Sequence, residues 1–255
     1  MIDRAWRVYE PGLPDGIAAL IDSHARPLRA DVWTRVLVPF VVSLFVRGPE
    51  FNRRFGTRLV PIIGTTSTFF TPTRITDNTN HARLFEMQRL MFPIATAEWT
   101  VVHCTSSGIA ITSDVGYCLM RHLQGGEVGY AIPLRPDAVL VLRKGPHHVI
   151  AHSTGGSWVM GGIQHAAGAP ETIGELNTAI ATTAMAEVYG PAERVVDTSA
   201  QAWQHGNAAL SHAPGPYWLA DNPKLMRDQE MSWVRMLLMF SVPPSPGSPT
   251  IVRMR

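Results

Sequence analysis

Residues 98–143 read EWTVVHCTSSGIAITSDVGYCLMRHLQGGEVGYAIPLRPDAVLVLR, and the fold turns on how this stretch is parsed. It holds short apolar runs rich in β-branched residues, punctuated by Ser, Gly and Pro. Runs of that kind between turn residues predict strands. They fall at Glu98–Cys104, Gly108–Thr112, Gly129–Leu134 and Ala138–Arg143. Ser106-Ser107-Gly108 suits a tight hairpin turn between the first two, and Leu134 to Asp137 suits another with Pro136 at its corner. No helix-length segment separates the strands, so they predict an antiparallel or mixed meander rather than a βαβ ladder. His147–His152 and Ser157–Met160 would add edge strands.

Upstream the period changes. Ile17, Leu20 and Ile21 share one face of a helix that starts after Pro-Gly-Leu-Pro and ends by Pro27. A second helix follows, with Asp31 as N-cap and Val32, Val36, Val38, Phe40, Leu44 and Phe45 apolar nearly all round. Pro39 inside it predicts a kink. Residues 57–80, rich in Thr, Pro and Gly, read as a long loop with a short strand at Leu59–Ile63. The next helix starts near Asn78–Asn80 and buries Leu84, Met87, Met91 and Phe92.

Downstream, Ala169-Pro170-Glu171-Thr172 opens a helix, with Thr172 and Glu175 at capping-box spacing. Ile173, Leu176, Ile180, Ala184 and Val188 carry it to Tyr189, where Gly190-Pro191 stops it. Pro223–Phe240 predicts a last helix, and the tail 241–255 is Pro-rich. The sum is one α+β domain over residues 1–240. N-terminal helices and the helix at 172–189 would pack on one face of a mostly antiparallel sheet built from residues 97–160.

Composition narrows the function classes. The chain has 255 residues, 45% apolar and 16% charged, enough for a sizeable core. A net charge of +2 gives no global field for nucleic acid. The most apolar stretch, Val36–Val46, is too short to span a bilayer, and the N-terminus has no apolar leader segment. Two cysteines, Cys104 and Cys118, predict reduced thiols in a cytoplasmic protein.

No P-loop, G-x-S-x-G elbow or C-x-x-C pair occurs. His147, His148 and His152 would put two imidazoles on one face of a strand, but no third or fourth ligand is evident nearby. They read as a histidine cluster at a surface, and no residue is assigned to a metal. Ser113-Asp114 follows an apolar run. A carboxylate there can stand above a cleft and act as base or ligand; the residues alone favour the plainer reading, in which Ser-Asp after a strand caps the next turn through backbone N–H groups. Arg47, Arg53 and Arg54 form a basic cluster, either solvated at a helix end or holding an anion.

Trp99, Ile-Thr-Ser-Asp at 111–114, Ile-Pro-Leu at 132–134 with Pro136, Glu-Leu-Asn at 175–177 and Tyr189 come in an order that resembles the C-terminal half of a bacterial family catalogued as domain of unknown function 4238. Upstream, Ser43–Phe55 is similar to that family's helix and R-T-P-x-F-R segment, with Arg47, Pro49 and Phe51 matching. The resemblance covers roughly residues 15–195. Two features depart from it: Val115-Gly116 stands where the family has Asn-Pro, and the family's N-terminal His-x-Val-Pro segment has no counterpart. The resemblance implies a site around Asp114 and Ser113 as catalytic groups, with Arg47 and Asn177 binding substrate. A hydrolase or nuclease-like enzyme of unknown cofactor is one expectation. The other is a non-catalytic module whose C-terminal region contacts a protein partner.

Overall fold

The computed structural model describes residues 10–48, 51, 72–104, 108–120, 129–145, 149–153, 156–160 and 162–191. The expected strand at 59–63, the last helix, the Pro-rich tail with its boundary at 240, and His147 and His148 lie outside the described residues. Helix α1 is Leu13–Ile21. Helix α2 is one helical run in three stretches, Ala30–Val32, the π-helical Trp33–Leu37 and Val38–Arg47. Helix α3 is Pro72–Thr96 and α4 is Pro170–Thr183. The strands are β1 (Glu98–Cys104), β2 (Thr112–Ser113), β3 (Cys118–Met120), β4 (Gly129–Arg135), β5 (Ala138–Arg143), β6 (Val149–Ser153), β7 (Gly156–Met160), β8 (Ile163–Gly168) and β9 (Val188–Tyr189).

The main sheet has five strands in the order β3-β4-β5-β1-β8. All its pairs are antiparallel except β1 with β8. The fold is therefore α+β with a mostly antiparallel sheet, as the sequence predicts. Pro136 and Asp137 make the β4–β5 turn, where Arg135 pairs with Ala138. Strands β6 and β7 form a separate antiparallel hairpin.

The sheet is covered on both faces, not one. Trp99 and Val101 of β1, Tyr130 and Ile132 of β4, and Leu140 and Leu142 of β5 pack with α1, α2 and α3. The alternate residues, Val102, Ala131, Val139 and Val141, pack with Ile173, Leu176 and Ile180 of α4. Side chains alternate across a strand, so each face takes every second residue. This is why Ala138–Leu142 is a continuous apolar run with all five residues buried.

Helix α2 lies in the first layer. Val38, Val41, Val42, Phe45 and Val46 are buried, each contributing about 1.5–3 kcal/mol by removal from water. Trp33 lies against Trp99 with ring centroids 4.3 Å apart, and the Trp99 indole N–H donates to the Ile94 carbonyl at 2.8 Å. Pro39 cannot donate to the Arg35 carbonyl, and its ring crowds that carbonyl. The π-helical turn at Trp33–Leu37 is where the backbone absorbs the misfit.

Several boundaries differ from the sequence reading. The N-cap of α2 is Arg29; Asp31 stands in the first turn, where its carboxylate accepts from Arg29 at 3.0 and 2.8 Å. Helix α3 begins at Pro72, so part of the expected loop is helical. Residues 108–111 are not a strand, and the short β2 pairs with β9 rather than β1. The N-cap of α4 is Ala169, with no side-chain cap bond, so the Thr172–Glu175 box is not used. The same helix ends at Thr183 instead of Tyr189, because residues 184–187 turn to meet Asp114 and Val188–Tyr189 pairs as β9. Among the described residues no helix is long and apolar enough to cross a membrane.

Candidate metal centre

Strand β1 points Trp99, Val101 and His103 toward the α1–α3 layer. The first two are buried in the core, and His103 is only half-buried where the stripe leaves it. The neighbouring β8 runs parallel, with His165 opposite Val101 and Ala167 opposite His103. His165 is thus the diagonal neighbour of His103 on the same face. The turn at 22–25, immediately after α1, brings in His24. Each ring can offer one nitrogen so that the three nitrogens lie within 4.8 Å of one another. His103 Nε2 and His165 Nδ1 are 2.9 Å apart, and the two rings are stacked with centroids 5.2 Å apart. His24 meets both edge-on.

The hydrogen bonds around the cluster fix where its protons sit. The Ser23 hydroxyl lies 2.7 Å from the Leu20 carbonyl, which can only accept, so its single proton goes there. Ser23 Oγ, 2.9 Å from His165 Nε2, must therefore accept from it. His165 then carries its proton on Nε2 and a lone pair on Nδ1. His24 Nδ1 lies 3.2 Å from the Ile21 carbonyl and must donate, which leaves the lone pair on its Nε2. Burial, and then the neighbouring rings of His103 and His24, hold His165 below the ordinary histidine pKa. A neutral imidazole is the form that coordinates a metal.

This geometry fits a first-row divalent cation. Zn–N bonds of 2.0–2.1 Å place tetrahedral ligand nitrogens about 3.3 Å apart, within reach of small ring rotations from the observed cluster. Three imidazoles suit zinc, copper, nickel or iron. His24 is exposed, so one side of the cluster faces solvent. The nearby β4–β5 turn adds charge: Arg135 binds Asp137 through two bonds of 2.9 and 2.7 Å. The hydrogen bond and charge of that arginine hold Asp137 below the usual carboxylate range against the opposing effect of its partial burial. Cys104 points to the other face of β1 and does not belong to the cluster; both thiols are free.

The residues singled out by sequence lie elsewhere. Ser113, 6% exposed, keeps its Oγ sealed from solvent and without a hydrogen-bond partner. The Asp114 carboxylate accepts from the backbone N–H groups of Met185 and Ala186, both at 3.0 Å. Asn177 Oδ1 accepts from the Ile111 N–H at 3.0 Å, and its Nδ2 donates to the Ile109 carbonyl at 2.8 Å. Ser113, Asp114 and Asn177 thus gather around α4 and the segment that leads into β2. Arg47 pairs with Glu10 at 2.6 Å at the end of α2, in the helical layer on the other side of the sheet. Gly116 adopts a left-handed φ of 78°, and a Cβ there would stand 3.3 Å from Leu44.

Sequence reasoning missed the triad because its members share no short spacing. The one available signal was a histidine ending the alternating apolar stripe of β1. His152 lies in β6. Comparison with protein-family models, with curated proteins and with solved structures found no match.

Proposed function

We propose that this protein binds a divalent transition metal of the zinc class through His24, His103 and His165, and that it uses the metal for hydrolysis. The observation that carries the reading is the convergence of three imidazoles from α1's end, β1 and β8, two of them with their outer N–H already bonded to Ser23 and Ile21. Metal-binding histidines typically spend their second nitrogen in this way. Three protein ligands with a solvent-facing fourth position is the arrangement of hydrolytic zinc, which lowers the pKa of bound water to about 7. The hydrolase expected from the sequence would then have its chemistry here rather than at Ser113, whose Oγ is sealed from solvent, and Asp114, whose carboxylate is spent on the Met185 and Ala186 N–H groups. Two free thiols support a cytosolic setting. Kinship with the domain of unknown function 4238 family rests on the order of its short motifs.

A non-catalytic form of the same reading is a structural clamp, since the ligands would tie the turn after α1 to two strands. Cobalt(II) titration separates the two. The proposal expects one equivalent to give an intense visible band of a four-coordinate site, absent in His103→Ala. A shift of the band on adding azide would favour the open, hydrolytic centre, and no shift would favour the clamp. No band at all would refute metal binding.

A further inference from the structure

The segment Leu20–His24 does more at this site than supply one ligand. Its backbone first makes the turn: Asp22 N–H donates to the Ala18 carbonyl at 3.0 Å and Ser23 N–H to the Leu20 carbonyl at 3.2 Å. Ser23 Oγ then donates back to the same Leu20 carbonyl and accepts from His165 Nε2. The Ile21 carbonyl bonds back to His24 Nδ1. One turn therefore contributes a ligand and the outer partners of two ligands, and those partners decide which nitrogen of each ring is free.

Resting on the metal reading, we propose that Ser23 is a positioning residue: by accepting from His165 Nε2 it holds the Nδ1 lone pair of His165 toward the cation. The geometry also sets the direction of the Ser23–His165–His103 chain. Read outward, that chain has the order of a nucleophile, a base and an orienting group. A nucleophilic serine must donate its proton to the base, whereas the Ser23 proton is committed to Leu20. His165 Nδ1 consequently accepts from His103 Nε2–H in the metal-free protein. With a cation bound, neutral His103 would carry its one proton on Nδ1 instead of Nε2, so that His103 Nε2 and His165 Nδ1 would both be free to hold the metal. Outer-sphere partners of this kind typically change metal affinity by 10–100-fold.

The test uses the full chain with ¹⁵N-labelled histidine and zinc alone as the probe. In the metal-free protein the imidazole spectrum should show His165 protonated on Nε2 and unprotonated on Nδ1. Ser23→Ala should lose that single tautomer and bind zinc about 10–100-fold more weakly, with its amide spectrum otherwise that of the parent. Ser23→Thr, which keeps the hydroxyl, should restore both. Because the tautomer is read without metal, a parent protein that fails to bind zinc sinks the metal reading, while the tautomer alone decides the role of Ser23 in holding the ring. His165 protonated on Nδ1, a tautomer unchanged in Ser23→Ala, or zinc affinity unchanged in that variant would each overturn the proposal. So would labelling of Ser23 by a serine-directed fluorophosphonate, which needs a primed nucleophile.

Discussion

Asn177→Ala should be among the most destabilising polar-to-alanine changes in the described chain. Asn177 is 8% exposed and spends both ends of its amide on the irregular segment before β2. Removing the side chain strands the Ile111 N–H and the Ile109 carbonyl beside the α4 layer, where Ile111, Ile173 and Leu176 exclude water. A buried polar group left without a partner costs about 1–3 kcal/mol. Ile111 is 1% exposed, but Ile109 is only half-buried and can recruit water. Taking the upper half of that range for the first and the lower half for the second gives a loss of about 4 kcal/mol. For a domain of this size that lowers the thermal midpoint by about 8–16 °C, read by calorimetry or circular dichroism. Asn177→Asp is the sharper variant. It keeps the shape and an acceptor for Ile111, but sets a second oxygen against the Ile109 carbonyl, so it should fall at least as far as alanine. Neither change should alter metal binding, because α4 and the histidine cluster occupy opposite faces of the sheet. A midpoint within about 2 °C of the parent for Asn177→Ala would refute the reasoning and return the amide to the substrate-binding role implied by the motif resemblance.

Asp114→Ala removes the acceptor for Met185 and Ala186; as with a lost cap, about 1 kcal/mol should go, a fall of about 2–4 °C in midpoint, with faster amide exchange at Val188 in β9. Gly145→Ala drives a Cβ into the Thr96 carbonyl oxygen and should cost about 1–3 kcal/mol of stability, read as a lower urea midpoint. Gly174→Ala, in helix α4 with open space around it, should add about 0.5–1 kcal/mol of stability, read as a higher urea midpoint; a destabilised Gly174→Ala would contradict the placement of α4. Complete burial pushes the Cys118 thiol up to about 12. At pH 8 it holds almost no thiolate, so a disulfide reagent should titrate Cys104 slowly in the native protein and Cys118 only after unfolding. Two fast thiols would contradict that packing.

Three of the five main-sheet strands, β1, β4 and β5, were legible because they are apolar runs bounded by turn residues, with Pro136 at the β4–β5 turn; the three-residue β3 and the polar-interrupted β8 carry no such run and went unread. The placement of the helices was misread from the same letters. Ala138–Leu142 is apolar without alternation, the mark of a strand covered on both faces, yet the sequence reading put every helix on one. The end of α4 was also out of reach. Its periodic residues continue to Val188, but a carboxylate more than seventy positions upstream captures the Met185 and Ala186 N–H groups, and no local pattern records such a bond. The histidines suffer the same limit more severely. His24 follows a helix, His103 ends a core strand and His165 lies on an edge strand; only the parallel β1–β8 pairing makes two of them diagonal neighbours. Local spacing singled out His147, His148 and His152 instead. Ser113 and Asp114 were found by position; Asp114 holds backbone N–H groups of the remote Met185–Ala186 segment rather than of the turn that follows it, and Ser113 Oγ is buried without a partner.

Calorimetric titration of the metal-free protein with zinc tests the central claim most directly. One site should saturate at a 1:1 ratio, and each of His24→Ala, His103→Ala and His165→Ala should remove the tight phase, while His152→Ala leaves it intact. Absence of binding by the parent, or a tight phase that survives all three substitutions, would contradict the account.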